Sequence, residues 1–204
     1  METSYLGVHQ TGSRPPFTVG VFDQRTQACA VVKKSGVSAK PSEIARKLEH
    51  ILNSSGIPEK SGFEIKIEVL KDPIDFINQI KSCELVTKFS FSAKFENAHD
   101  VHQLIQAPAE KFNEIVQGDK TTVSVQGRSL NKDVVEEVTR AVASVGEEAS
   151  ATIKVPDSPR SKRVSLRGIP LLEAFNSEDD KSSPFKVMLE SLRASYGRLR
   201  SSKL

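Results

Sequence analysis

The chain has little of what usually announces a reaction. Among 204 residues there are only two cysteines and no tryptophan, so neither a disulfide scaffold nor a cysteine metal knuckle can be built. Cys29 and Cys83 stand far apart, and two lone thiols fit a reducing cytoplasm. No apolar run approaches the ~20 residues of a membrane-spanning helix. METSYLGVHQTGSRPP, at positions 1–16, lacks a basic region followed by an apolar one, so no secretory leader is expected. Neither GxxxxGK[ST] nor GxGxxG occurs, and no serine or cysteine sits in a nucleophile elbow, which removes the common phosphate loops and hydrolase motifs. The net charge is only +3, too small on its own to imply a nucleic-acid partner.

What is present is patterned. Apolar residues make up 37% and charged ones 27%, enough to bury a core in a chain of this length. FTVGVF (17–22) and ACAVV (28–32) read as strands joined by the polar turn DQRTQ. Pro41 opens a helix with the stripe Ile44, Leu48, Ile51, Leu52, and Gly56 can stop it. FEIKIEVL (63–70) alternates as a strand, with Phe63, Ile65, Ile67 and Val69 on one face. Asp72 as cap and Pro73 as first residue predict a short helix through Ile74, Ile77 and Ile80. LVTKFSFSAKF (85–95) alternates Phe89, Phe91 and Phe95 against Lys88, Ser90 and Ser92.

A helix is expected from Ala98 to Gln117, interrupted at Pro108 and closed by Gly118. TTVSVQ is a strand, Asn131 caps a valine-rich helix ended by Gly146, and ASATIKV and KRVSLR are strands joined by PDSPRS. Ser183 and Pro184 start a last amphipathic helix bearing Phe185, Met188, Leu189, Leu192, Tyr196 and Leu199. Strict alternation implies a sheet covered on one face only, since strands buried on both faces are apolar throughout. The expected fold is α+β: a two-layer mixed sheet with helices on one face, plus the C-terminal amphipathic helix. Two small split-βαβ units dividing near Cys83 are the related alternative. Residues 1–14 read as a flexible tail, 15–170 as the core domain and 171–204 as a polar linker and basic tail helix. Phe63, Ile65, Ile67, Phe89, Phe91, Phe95, Val123, Val125, Ile153 and Val155 are expected to share the buried sheet face.

Three clusters compete as sites. FENAHDVHQL puts Glu96, His99, Asp100 and His102 close together, and a helix would bring His99 and His102 onto one face. Zinc needs further ligands, which His9 or His50 would supply only through tertiary coincidence. Asn97 as cap and Asp100 in the first turn account for the same residues, so no zinc or other metal, and no cofactor, is expected. Glu64 and Lys66 resemble the acid-plus-lysine signature of metal-dependent nucleases, in which carboxylates hold Mg²⁺. They keep a nuclease or other hydrolase, using Glu64 and Lys66 or Glu96 and His102, as the enzyme-class alternative.

The third cluster is basic. SPRSKRVSLR carries Arg160, Lys162, Arg163 and Arg167, and the tail adds Arg198, Arg200 and Lys203, while acid gathers elsewhere, as in Glu178-Asp179-Asp180. Arg160, Lys162 and Arg163 on a hairpin tip are expected to project together onto phosphates. The aromatic residues fall on the core face, which disfavours an RNA reader that stacks bases on its sheet.

LVTKFSFSAKFEN, TTVSVQGRSLN, ASVGEEASATIKV and RVSLRGIPL together resemble uncharacterised bacterial proteins carrying a domain of unknown function, some of them near mobile elements or phage-defence genes. The resemblance spans Phe63 to Leu172 and rests on strands and glycines; Phe95-Glu96-Asn97-Ala98 stands where that family reads Pro-Asn-Pro. It implies a bacterial, cytoplasmic protein and transfers no catalytic residue. The combined expectation is a non-catalytic accessory or assembly protein. Its partner would be nucleic acid, or a protein held by the C-terminal helix; oligomers are allowed and no membrane is involved.

Overall fold

The structure, a computed structural model, describes residues 16–38, 40–93, 106–174 and 183–200. Its elements follow in the order β1 (Gly20–Asp23), β2 (Ala28–Val31), α1 (Pro41–Asn53), α2 (Ile57–Ser61), α3 (Ile74–Ser82), β3 (Leu85–Ala93), α4 (Gln106–Ile115), β4 (Thr121–Gln126), α5 (Lys132–Ser144), β5 (Ala149–Lys154), β6 (Ser161–Ser165) and α6 (Pro184–Arg200). The fold is α+β. No helix among the described residues is long and apolar enough to cross a membrane.

The main sheet has four strands in the order β4-β3-β5-β6, and β1-β2 form a separate hairpin. Every strand pair among the described residues is antiparallel, where a mixed sheet was expected. The reason lies in one crossover. β4, α5 and β5 form a split βαβ unit, but β3 occupies the gap between its two strands. The two parallel strands therefore never touch.

Period-two alternation decides which side of β5 is dry, and of β3 beyond a register shift between Val86 and Lys88 that lets Val86 and Phe89 share a face. Val86, Phe89 and Phe91 join Ala149, Ala151, Ile153 and Val164 on one face, where they meet Phe76 and Ile80 of α3 and Val135, Val138 and Val142 of α5. Asn131 starts α5 as the sequence predicts, its side-chain oxygen accepting the N–H groups of Asp133 and Val134. Phe89, Phe91 and Ile153 are buried as expected, and Val123 and Val155 pack on the core's margin. Val125 is 49% exposed, near the end of edge strand β4. Phe95 and the predicted helix start at Ala98 lie outside the described residues; Pro108 lies within α4.

FEIKIEVL is the largest departure. It pairs with no strand of the sheet, and Phe63 is 55% exposed while Ile65 and Ile67 are half-buried. The segment runs instead along α1: Asn53 both accepts the Ile65 N–H and donates to the Ile65 carbonyl, and Glu49 accepts the Ile67 N–H. Four helical residues rise ~6 Å and two extended residues ~6.6 Å, so side chains one helical turn apart fit alternate amides.

α6 folds back onto the chain. Leu192 and Tyr196 pack with Ala28, Val21 and Ala30 of the hairpin, and Leu199 enters the main core.

Candidate nucleic-acid interface

The face of the main sheet turned away from α3 and α5 is ordered by register. Gln126 pairs with Lys88, Lys88 with Thr152, and Thr152 with Arg163, making one row across all four strands. In the next row Ser124 pairs with Ser90, Ser90 with Ser150 and Ser150 with Ser165. A row of this kind spans about 14 Å at the usual strand spacing. The hydroxyls communicate: Ser90 donates to Ser124 at 2.9 Å, and Arg163 Nη2 donates to Ser150 Oγ at 3.4 Å.

Neither row contains a carboxylate or an aromatic ring. Carboxylates border the rows: Glu84 pairs with Lys154 at 3.4 Å, Glu148 with Lys120 at 2.6 Å, and buried Glu147 accepts from Ser92, one step beyond the serine row, at 2.5 Å. A shallow open depression at the β3–β4 end is lined by Thr87, Lys88, Gln126, Gly127, Arg128 and Thr152. Its two cations and its hydroxyl and amide groups are the donors that phosphate oxygens accept from.

The expected basic residues separate into two groups. Arg160, Lys162, Arg163 and Arg167 are all exposed, in or beside edge strand β6. They do not project together as expected. Strand alternation sends Arg163 to the open face beside Thr152, while Lys162, opposite Ile153, belongs to the other face. Arg160 lies in the turn before β6, where Ser158 Oγ accepts its N–H.

The tail arginines are engaged inside the chain. Arg198 pairs with Glu173 at 2.5 Å and also donates to Ser195, and Arg200 donates to buried Ser144 at 3.3 Å. Arg193 is tied to Asp23. Lys203 lies outside the described residues. Sequence reasoning missed Lys88, Arg128 and the serine row. Their signal was the serine, threonine and lysine at alternate positions of LVTKFSFS, TTVSVQ, ASATIK and SKRVS, but only the register lines them up.

Of the enzyme-class residues, Glu96, His99, Asp100 and His102 lie outside the described residues. Glu64 and Lys66 pair with each other in solvent at 2.5 Å, and no group of three or more His, Cys, Asp or Glu side chains converges among the described residues. Cys83 is buried, its thiol donating to the Ile80 carbonyl, and burial raises its pKa, which leaves it a poor nucleophile. Comparison with protein-family models, curated proteins and solved structures finds no match.

Proposed function

We propose that the protein is a non-catalytic accessory or assembly protein that binds the nucleic-acid backbone on the open face of its main sheet. The observation that carries this reading is the row Gln126, Lys88, Thr152, Arg163 beside an all-serine row, with no carboxylate in either. Cations and hydroxyls contact phosphate and sugar and fix orientation without reading sequence. Base stacking would need aromatic side chains, and these rows have none. Binding is therefore insensitive to sequence, and Arg160 and Arg167, exposed beside β6, add positive charge along its edge. The family resemblance adds a bacterial, cytoplasmic setting and a role in defence against phage. A protein partner held by α6 has less support, because Leu189, Leu192, Tyr196 and Leu199 of its apolar stripe pack within the chain.

The test is a fluorescence titration against DNA and RNA oligonucleotides, single- and double-stranded, at several salt concentrations. Affinity should fall linearly on logarithmic axes with salt, because each neutralised phosphate releases counterions. Lys88→Ala/Arg163→Ala should weaken binding and reduce the slope by ~1.4–1.8, the contribution of two phosphate contacts. Absence of wild-type binding at low salt, or an unchanged slope in a folded double variant, would overturn the proposal.

A further inference from the structure

Residues 63–68 present an extended backbone with one edge used and the other open. The amides of Ile65 and Ile67 are held by Asn53 and Glu49 of α1, which occupies one edge. Along an extended chain the N–H and C=O of neighbouring residues point to opposite edges. Those of Glu64 and Lys66 consequently face away from α1, and they have no hydrogen-bond partner among the described residues. An open edge of this kind is a template for another strand. Phe63, in the same segment, is an exposed apolar side chain.

We propose that this edge pairs with the same segment of a second copy of the chain, antiparallel, about a two-fold axis through Ile65. Charge complementarity selects both the occupant and the register. Apolar faces match across an antiparallel pair only if odd residues oppose odd ones. Centring on Lys66 sets Glu64 against Glu68 and Lys66 against itself, which like-charge repulsion disfavours. Centring on Ile65 sets Glu64 against Lys66 twice, so the ion pair now made within one chain becomes two pairs between chains. Centring on Ile67 also alternates charge, but it uses the edge at Glu68. There the turn after α5 sits so close that a Cβ on Gly146 would lie 2.8 Å from Glu68 Cβ.

In the Ile65 register Glu64 and Lys66 form the hydrogen-bonded pairs, each exchanging N–H and C=O with its opposite number. Phe63 falls across from Ile67 of the second copy, on the same face, and is covered. Ile65 meets Ile65 in the close, non-hydrogen-bonded position.

The test is sedimentation of the full chain over a concentration series. The wild type should show a concentration-dependent dimer. Lys66→Glu places Glu64 opposite a glutamate, and Glu64→Lys places Lys66 opposite a lysine, so each should shift the midpoint to at least about tenfold higher concentration. The double reversal Glu64→Lys/Lys66→Glu restores complementarity and should restore the dimer. Both positions lie in solvent, and a thermal melt checks that the three variants fold. A second measurement reports register: with Cys29→Ser, Ile65→Cys should crosslink between copies under mild oxidation far faster than Ile67→Cys, because paired positions on the axis lie within disulfide reach. A wild type monomeric at every concentration would overturn the proposal, as would single reversals without effect or equal crosslinking at both positions. Because these residues stand apart from the open sheet face, nucleic-acid binding by the monomer would be unaffected by any of these outcomes.

Discussion

Arg193 grips Asp23 with two nitrogens, Nη2 at 2.9 Å from Oδ1 and Nε at 3.2 Å from Oδ2, joining residues 170 positions apart. The carboxylate is only 3% exposed, and it fastens α6 to the β1–β2 hairpin beside the small cluster of Ala28, Leu192 and Tyr196. The Arg193 hydrogen bonds, with help from Thr26, hold the Asp23 carboxyl at about 2, below its ordinary 3.8, against the opposing effect of desolvation. The folded pKa lies below the unfolded one, so the charged form is the one folding favours. Its contribution is complete above about pH 4 and is lost as pH falls toward about 2. Asp23→Asn should therefore lower the melting temperature at neutral pH, and the gap to wild type should shrink and close across that interval. A pH-independent gap would show that the pair contributes through packing alone.

The two phenylalanines at either end of the alternating stretches make a sharper contrast than their sequence contexts suggest. Phe89 is 5% exposed in the main core and Phe63 is 55% exposed beside α1. Phe89→Ala should cost ~3–5 kcal/mol in denaturant unfolding, from lost transfer energy and the cavity left behind. Phe63→Ala, measured on the monomer, should stay within about 0.5 kcal/mol. Comparable losses at both positions would mean that residues 63–69 do enter the core.

That contrast also marks what the sequence could and could not convey. Alternation in 88–91 and 149–154 identified the strands and their dry faces, but it foresaw neither the register shift between Val86 and Lys88 nor the burial of Ser92, and Asn131 and Pro41 marked helix starts by local chemistry. FEIKIEVL alternates just as cleanly, and the period correctly turns Ile65, Ile67 and Val69 inward, though not Phe63. Whether its amides bond to a strand or to Asn53 and Glu49 of a helix is a tertiary choice that periodicity does not encode. The basic residues failed in a similar way. Arg163 and Arg200 look alike in sequence, yet one stands on an open face and the other donates to Ser144. The serine row was present in the composition of the strands but invisible until their register was known.

Gly146 and Gly62 share a left-handed backbone, with φ of 72° and 74°, but differ in the space around them. A Cβ at Gly62 meets nothing within 4 Å, so Gly62→Ala should cost only the conformational penalty, ~1–2 kcal/mol. At Gly146 the same Cβ would meet Glu68 Cβ at 2.8 Å and the Val69 carbonyl at 3.1 Å. Gly146→Ala should therefore destabilise by a clear margin more, by ~1 kcal/mol or above, because overpacking adds to backbone strain. Chemical denaturation of both variants measures the difference; equal losses would mean that the turn moves away from Glu68 at little cost.

The open sheet face and the tail helix make opposite predictions for charge-altering substitutions. Ser150 lies between Ser90 and Ser165 and accepts from Arg163, so a carboxylate in its place would hold that guanidinium and put negative charge in the middle of the row. The position is half-buried and faces away from the helices, so Ser150→Asp should cost no more than ~1 kcal/mol of stability. It should weaken nucleic-acid binding and flatten the salt dependence, since at least one phosphate contact is lost. Arg200→Ala should do the reverse. It removes the hydrogen bond to buried Ser144 and lowers the melting temperature, while the salt slope stays at the wild-type value. Titration and thermal melting of the two variants side by side separate the surfaces. A flattened slope in Arg200→Ala with unchanged binding in Ser150→Asp would move the phosphate contacts from the sheet to the tail helix.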